Sequence, residues 1–104
     1  MTLELQDPLY VAGNRHYQDR FAMLGEGSFA GVLVREPMNT YDTKAIMVMT
    51  PSETKLGYVP KWKAAEWAPR MDEAGLTRIG VEINIRPPDP DKGLYSAELL
   101  QVYA

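Results

Sequence analysis

Residues 78–86 alternate between apolar and other side chains, and this run constrains the fold more than any other part of the chain. The apolar face is formed by Ile79, Val81, Ile83 and Ile85. This two-residue period is typical of a β-strand that packs one face against a core. The run ends at Pro87 and Pro88, because proline has no N–H to donate to a sheet. Residues 89–93 have turn composition and residues 94–103 fit a returning strand, so we predict a β-hairpin.

Strand-like segments dominate the rest of the chain as well. Four more short runs of aliphatic and aromatic residues are separated by Gly, Pro, Asn and Asp: Leu9–Ala12, Phe29–Val34, Ala45–Met49 and Leu56–Val59. One helix is predicted from Pro60 to Gly75, and Pro69 is expected to kink or split it. A second short helix is an option at residues 14–19, and residues 21–24 fit a strand or a helix. We therefore predict a mainly β fold with short α, a small antiparallel barrel of about six strands with one or two short helices.

Length and composition limit the class of protein. The 104 residues, 45% of them hydrophobic, suffice for one domain, which we take to span residues 1–104. There is no cysteine and a single histidine, so we expect no disulfide, no thiolate nucleophile, no metal site and no cofactor. No run is apolar enough to span a membrane, and the acidic N-terminal segment is unlike a secretory signal. We therefore expect a cytoplasmic protein without a membrane partner.

Charge narrows the choice of partners further. The net charge of −3 argues against a protein that covers duplex DNA, which usually has a basic surface. A small site for a few phosphates stays open, because four cations lie in three polar, turn-forming segments between the strands: Arg15, Arg35, Lys44 and Lys61. Loops are where small barrels carry their binding residues. These three segments therefore form the candidate site.

The first segment is Gly13–Tyr17. The guanidinium group of Arg15 suits a phosphate, and the ring of His16 or Tyr17 could stack on a nucleobase. The alternative is a Gly-Asn turn that leaves Arg15 in solvent and packs Tyr17 into the core. Taken alone, these five residues favour the alternative.

The second segment is Arg35–Asp42. Asn39 offers an amide with donors and acceptors, Tyr41 a ring with a hydroxyl, and Asp42 an acceptor. A carboxylate is favourable beside a sugar hydroxyl at a strand terminus, whereas an internal phosphate would repel it, so this segment favours recognition of an end. An Asx-stabilised turn with Tyr41 as a plug is equally compatible with these residues.

The third segment is Gly57–Lys61. Tyr58 adds a ring, and Lys61 at the start of the predicted helix could contact a second phosphate together with the free N–H groups of the helix. The alternative, favoured by this segment alone, is a strand-to-helix junction with a solvated lysine. Trp62 and Trp67 are expected in the core or at a protein interface rather than in a nucleobase-stacking platform.

No arrangement of catalytic groups stands out. The fourteen acidic residues show no diagnostic spacing to a partner base. Ser28, Ser52 and Ser96 lack the context of a nucleophile elbow, and residues 25–27 are too short for a phosphate-cradling loop. We therefore predict that the protein is not an enzyme.

The order and spacing of the three segments resemble the HIRAN domain, a module found at the front of some helicase-like DNA-repair ATPases. The resemblance covers about residues 8–75. It rests on Arg-Glu-Pro-x-Asn-x-Tyr-Asp-x-x-Ala-Ile-x-Val at residues 35–48, and on Gly-Tyr-Val-Pro followed by an alanine-rich helix. It implies a β-barrel related to the OB-fold that binds the 3′ end of single-stranded DNA. In that family basic and aromatic loop residues hold the terminal nucleotides, and an Asp contacts the free 3′-hydroxyl.

The binding positions of the family carry over residue by residue. Arg15 resembles the phosphate contact of the first loop, and Lys61 matches a basic position. His16 stands where a tyrosine is usual, Thr40 where proline is common, and Tyr58 where a histidine can occur. The resemblance implies eight nucleic-acid-binding residues: Arg15, His16, Tyr17, Asn39, Tyr41, Asp42, Tyr58 and Lys61.

We therefore predict a non-catalytic module that binds single-stranded DNA, at its 3′-hydroxyl end, in DNA repair or processing. Nothing is fused to the domain here, which leaves two alternatives: a free-standing copy that has lost end-binding, or one that serves a separate helicase, ATPase or nuclease chain, the expected protein partner. The alternative is a protein-interaction module that docks a helicase or nuclease through the tryptophan-bearing helix or a strand edge. The acidic net charge favours that alternative, whereas the cluster of basic, aromatic and amide side chains favours DNA. A small hydrolase is a third alternative.

Overall fold

Six strands and two helices follow one another in the computed structural model, which describes residues 3, 5 and 8–104. The strands are β1 (Leu9–Tyr10), β2 (Gly27–Arg35), β3 (Ile46–Met49), β4 (Lys55–Tyr58), β5 (Arg78–Arg86) and β6 (Ser96–Tyr103). The helices are α1 (Gln18–Leu24) and α2 (Lys61–Glu73), and a 3₁₀ turn at Asn14–His16 precedes α1. All strand pairs are antiparallel, in the order β1-β6-β5-β2-β3-β4. This curled half-barrel confirms the predicted fold class.

The centre of the sheet is the long pair β2 and β5. These strands stay in register from Gly27 opposite Ile85 to Val34 opposite Arg78. The apolar residues of β5 are all buried, as the alternation in the sequence predicts: Ile79, Val81, Ile83 and Ile85. The chain then turns back at the predicted hairpin, so that β6 pairs with β5. One face of this central sheet therefore supplies much of the core.

The two edges of the sheet meet at a single point. Ala12, just after β1, bridges to Tyr58 at the end of β4. Its N–H donates to the Tyr58 carbonyl at 2.7 Å, and the Tyr58 N–H donates back to the Ala12 carbonyl at 2.9 Å. Segments that are more than forty residues apart in sequence thus lie side by side.

Helix α2 covers the core with one face. Trp67, Ala68 and Met71 are fully buried on that face, because residues three and four apart share one side of a helix. Of the two expected effects of Pro69, a kink or a split, the split is wrong, because α2 runs as one element from Lys61 to Glu73. Proline has no N–H to donate to the carbonyl of Ala65, one turn earlier. Because Pro69 and Ala65 are both exposed, water can hydrate that carbonyl.

The short helical segment near the N-terminus is longer than the sequence indicates. The structure forms the 3₁₀ turn at Asn14–His16 and then α1, so residues 21–24 are helical. Phe21 anchors α1 because its side chain is fully buried. No helix in the described part of the chain is long and apolar enough to cross a membrane.

Candidate functional site

Five of the eight predicted binding residues line one pocket at the end of β4, which we call the Asp42 pocket. Its volume is about 370 Å³. It is lined by Ala12, Asn39, Tyr41, Asp42, Ala45, Tyr58, Val59 and Lys61. The pocket draws on three distant parts of the sequence, because the bridge between Ala12 and Tyr58 closes one of its sides.

A second concavity of about 630 Å³ adjoins the Asp42 pocket, and we call it the Met38 groove. It is lined by residues 35–41 and by Tyr58. Asn39, Tyr41 and Tyr58 line both cavities. Tyr41 is 94% exposed and Met38 is 89% exposed, so the loop between β2 and β3 presents apolar surface to solvent. The Tyr41 ring is free to stack on a flat ligand.

Asn39 holds the loop between β2 and β3 in shape. Its side-chain oxygen accepts the N–H groups of Tyr41 at 2.9 Å and Asp42 at 3.1 Å. Its side-chain nitrogen donates to Glu36 Oε1 at 3.0 Å. This Asx geometry is the turn that the sequence offered as an alternative. Asn39 therefore positions Tyr41 and Asp42, and it keeps one N–H for a ligand.

The two carboxylate oxygens of Asp42 differ in their hydrogen bonding. One carboxylate oxygen accepts the N–H of Lys44 at 2.9 Å. The other oxygen has no hydrogen bond to any residue that the structure describes, although the side chain is half-buried in the pocket. A carboxylate with a free oxygen in a partly desolvated pocket is a strong acceptor for a hydroxyl donor.

Lys61 supplies positive charge across the same pocket. It is the first residue of α2, is exposed, and forms no ion pair with residues 3, 5 or 8–104. No side chain within the described chain caps the helix at Pro60. The partial positive charge of this helix end adds to that of the ammonium group. Lys61 and the N-terminus of α2 can therefore hold an anion beside Asp42.

A second cluster, which the sequence reasoning missed, shares Tyr58 with the pocket. The ammonium of Lys55 donates to the Tyr58 hydroxyl at 2.6 Å and lies 4.3 Å from the centre of that ring. It also lies 5.7 Å from the ring of Tyr17. The guanidinium of Arg20 covers the Tyr17 ring at 4.9 Å and donates to the Lys55 carbonyl at 2.9 Å. We call these four residues the Lys55 cluster.

The environment of Lys55 stabilises its charged form. Partial burial by itself lowers the pKa of the ammonium, but hydrogen bonding to Tyr58 and the interaction with Tyr17 outweigh this, so the pKa is raised. Lys55 is therefore cationic throughout the neutral pH range. A lysine inside a short strand carries no binding signal in sequence, since its partners come from β4 itself and from the distant first segment.

The remaining predicted residues of the first segment lie outside the pocket. Arg15 and His16 are exposed on the 3₁₀ turn, and the His16 ring meets the Tyr17 ring edge-on at 6.4 Å. Tyr17 is half-buried against the core and does not line the pocket, but Lys55 contacts both its ring and Tyr58. The eight predicted residues thus form a pocket and a neighbouring aromatic surface.

Arg35 corrects one expectation. The sequence places it among the cations of the candidate site, but it is buried and its guanidinium donates to both oxygens of Asp72, at 2.9 and 3.0 Å. A further bond of 3.2 Å reaches the Ala45 carbonyl. Its charge is therefore neutralised within the fold and holds β2 to α2.

Comparison with known proteins gives a family for most of the chain. The HIRAN domain family model matches residues 9–101. An Arabidopsis thaliana protein, named as a SWI/SNF-related matrix-associated actin-dependent regulator of chromatin subfamily A member 3-like 1, is 32% identical over 76 residues. That match covers 73% of this chain and 8% of the relative, so the chain spans less than a tenth of that protein.

A solved structure shares the architecture over nearly the whole chain. The crystal structure of a protein from Lactobacillus plantarum matches with a TM-score of 0.65 and 25% identity. The match covers 94% of this chain and 93% of that one. Because the HIRAN domain model matches most of its length, the chain belongs to the HIRAN domain family.

Proposed function

We propose that this HIRAN domain binds the 3′-hydroxyl end of single-stranded DNA in the Asp42 pocket. HIRAN domains are binding domains, associated with DNA binding in chromatin-remodelling and repair proteins. The observation that carries the proposal is the carboxylate oxygen of Asp42, which has no partner within the described residues and shares a pocket with Lys61 and Tyr41.

The charges in the pocket favour a terminal nucleotide over an internal one. A terminal 3′-hydroxyl can donate to Asp42, while Lys61 binds the phosphate on the 5′ side of the same nucleotide. At an internal position the 3′ oxygen carries another phosphate, and that charge would lie against the Asp42 carboxylate. Two like charges at about 4 Å cost about 1 kcal/mol in water and several times more in a partly buried site.

The expected affinity is moderate. Stacking of two bases on exposed rings contributes about 1–3 kcal/mol each, and a few charge-assisted hydrogen bonds add to this. Together they suit a micromolar complex, which corresponds to about −8 kcal/mol. The domain, taken as residues 1–104, would act without catalysis and without a cofactor, in DNA repair or processing in the cytoplasm. A helicase, ATPase or nuclease chain would be its protein partner.

Substitution of Asp42 by Asn tests whether the Asp42 carboxylate recognises the 3′-hydroxyl. The amide keeps an oxygen for the Lys44 N–H but loses the charge, so the turn should persist. We expect the wild type to bind a 3′-hydroxyl oligonucleotide at least about tenfold more tightly than its 3′-phosphate form, a difference of about 1.4 kcal/mol. In Asp42→Asn the two affinities should converge. Fluorescence anisotropy with fluorescein on the 5′ end measures both, and an oligonucleotide with a blocked 3′ end serves as reference.

Asp89 offers a matched control for this experiment. Its side-chain oxygen also accepts backbone N–H groups, from Asp91 at 2.7 Å and Lys92 at 3.2 Å, but it lies in the β5–β6 hairpin outside the site. Asp89→Asn should therefore leave the preference for the hydroxyl end intact. Equal binding of both ends by the wild type would show that Asp42 does not read the 3′ terminus.

Docking of a protein partner is the second candidate, and the exposure of Trp62 favours it. This tryptophan is 69% exposed on α2, while Trp67 is fully buried. Exposed tryptophans are frequent anchors of protein interfaces. If docking is the function, a helicase-like ATPase chain should co-elute with the wild type in gel filtration and not with Trp62→Ala, and neither should retain single-stranded DNA.

A further inference from the structure

A strand held by its end in the Asp42 pocket can leave in two directions. Tyr41 and Tyr58 line both the pocket and the Met38 groove, so one path continues along the loop between β2 and β3. The hydroxyl of Tyr58 contacts Lys55, so the other path crosses the Lys55 cluster towards Tyr17. The charges along the two paths differ, and phosphates respond to that difference.

The described lining of the Met38 groove contains no cation that is free to bind a phosphate. Arg35 is the only basic residue in the described lining of this groove, and its guanidinium already donates to both oxygens of Asp72. Glu36 adds a negative charge, which is only partly satisfied by the amide of Asn39. The remaining surface is formed by proline, methionine, threonine and tyrosine. This groove fits an uncharged group and disfavours a phosphodiester backbone.

The Lys55 cluster has donors to spare. Lys55 has three ammonium hydrogens and contacts Tyr58 and Tyr17 with them, and Arg20 uses one of its five N–H groups on the Lys55 carbonyl, so each cation keeps a donor for a ligand. The acids nearest in sequence, Asp19 and Glu53, form no ion pair with either cation in the described part of the chain. On a protein of net charge −3, this is a local concentration of unneutralised positive charge.

We propose that Lys55 and Arg20 form a phosphate subsite for the nucleotides on the 5′ side of the bound terminus. The strand then leaves the Asp42 pocket over Tyr58 and Tyr17 rather than along the Met38 groove. This inference rests on the proposed function and assigns a role to two residues that neither the loop motifs nor the family resemblance includes.

The geometry of the cluster supports both parts of a single-strand site. The rings of Tyr17 and Tyr58 flank the Lys55 ammonium, at 5.7 and 4.3 Å from it. The cations bind the backbone without reading sequence, and any base can contact the part of each ring that the cations and the core leave uncovered. The raised pKa of Lys55 keeps its charge at neutral pH. Binding on this path should therefore depend on salt and be insensitive to sequence.

The test combines length and salt dependence. Anisotropy titrations use oligothymidines of two, four and six nucleotides, each with a free 3′-hydroxyl, between 50 and 200 mM NaCl. We expect Lys55→Met and Arg20→Met each to weaken binding of the hexamer about fivefold to tenfold and to bind the dimer nearly as the wild type does. Each variant should also lower the slope of log Kd against log salt by about 0.7, the value for one phosphate on a single strand.

Three further variants separate charge from structure. Lys55→Arg keeps the charge and should retain the salt slope of the wild type, even if the Tyr58 contact changes. Lys92→Met removes an exposed cation in the β5–β6 hairpin and should change neither affinity nor slope. Met38→Ala should leave the slope unchanged, because the Met38 groove contacts no phosphate in this proposal.

The outcomes distinguish failure of the proposed function from failure of the phosphate subsite alone. If the wild type binds none of the oligothymidines, the proposed function and the subsite both fail. If the wild type binds and Lys55→Met and Arg20→Met keep its slope, the assignment of the phosphate path is wrong while end binding stands. A loss of hexamer affinity confined to Met38→Ala would place the strand in the other groove.

Discussion

Gly57 lies where β4 meets the segment that follows β1. In a regular strand residues two apart face the same side, which would put Leu56 and Tyr58 together in the core. Gly57 has a φ of +147° and interrupts this pleat. Leu56 is fully buried, whereas Tyr58 is half-buried and lines the Asp42 pocket. The conformation of Gly57 thus coincides with the position at which Tyr58 leaves the core side of β4 and lines the pocket.

Gly57→Ala is expected to destabilise the protein by about 2–4 kcal/mol. A Cβ atom at Gly57 would lie 2.4 Å from the Ala12 carbonyl oxygen and 2.5 Å from Val11 Cγ1, so the closing segment has to move. The positive φ adds backbone strain for any L-residue. Urea unfolding followed by circular dichroism measures the change in the free energy of unfolding.

Gly80→Ala is the control for this prediction. Gly80 lies in β5, and an added Cβ would meet the Tyr103 ring at an ordinary 3.7 Å. Its stability should stay within about 0.5 kcal/mol of the wild type. Equal stability of the Gly57 and Gly80 variants would mean that the contact between β4 and the first segment is not tightly closed.

Helix α2 links the candidate site to the core. Its first residue, Lys61, lines the Asp42 pocket, and Trp67 and Met71 fill the interior. Near its C-terminal end, Asp72 binds the guanidinium of Arg35 at the end of β2. The same strand end leads into the loop that carries Tyr41. One ion pair therefore fixes the helix relative to the loop on which the site depends.

Asp72→Ala should lower the free energy of unfolding by about 1–2 kcal/mol. The substitution leaves the buried Arg35 guanidinium with the Ala45 carbonyl as its remaining acceptor in the described chain. Half of Asp72 is exposed, so water can replace part of the lost interaction and the effect stays below that of a fully buried pair. Urea titration gives the value.

Glu73→Ala is the matched substitution on the same helix. Glu73 is exposed and forms no ion pair with the residues that the structure describes, so its removal should change stability by less than about 0.5 kcal/mol. If both variants are equally stable, Arg35 is satisfied without its carboxylate partner and the account of this ion pair is wrong.

The molecule as a whole is acidic, yet three cations that form no ion pair with the described residues lie close together at the candidate site. Lys61 faces the Asp42 pocket, and Lys55 and Arg20 lie beside it. They come together because the sheet curls until Ala12 pairs with Tyr58. A net charge of −3 opposes wide coverage of a polyanion but leaves this local attraction intact.

Binding of single-stranded DNA should accordingly show a shallow salt dependence. With about two to four phosphates neutralised, log Kd should change with log salt by a slope of about 1.4–2.8 in magnitude, at about 0.7 per phosphate. Anisotropy titrations between 50 and 300 mM NaCl give this slope. A slope near zero would remove phosphates from the interface, and one several times steeper would require a basic surface that the described chain lacks.

Much of the fold was predictable from local patterns. The alternation in residues 78–86 gave β5 with its buried face, and the turn after Pro88 gave the hairpin with β6. The sequence left open whether Pro69 kinks the helix or splits it, because the outcome depends on the exposure of the unpaired carbonyl and on the packing of Trp67 in the core. The local sequence sets the helix propensity of each residue, whereas tertiary packing decides whether a residue of low propensity is part of a helix.

The sequence alone determined the antiparallel β class, the hairpin, the helix after Pro60 and the kinds of side chain in the three loop segments. These follow from periodicity and turn chemistry, which act between near neighbours along the chain. The tertiary structure decided which cations are available. Arg35 lies in the sequence motif but is neutralised by Asp72. Lys55 lies outside the motifs, contacts Tyr58 and forms no ion pair with the described residues. Neutralisation of a charge depends on neighbours in space, and these are set by the closure of the sheet.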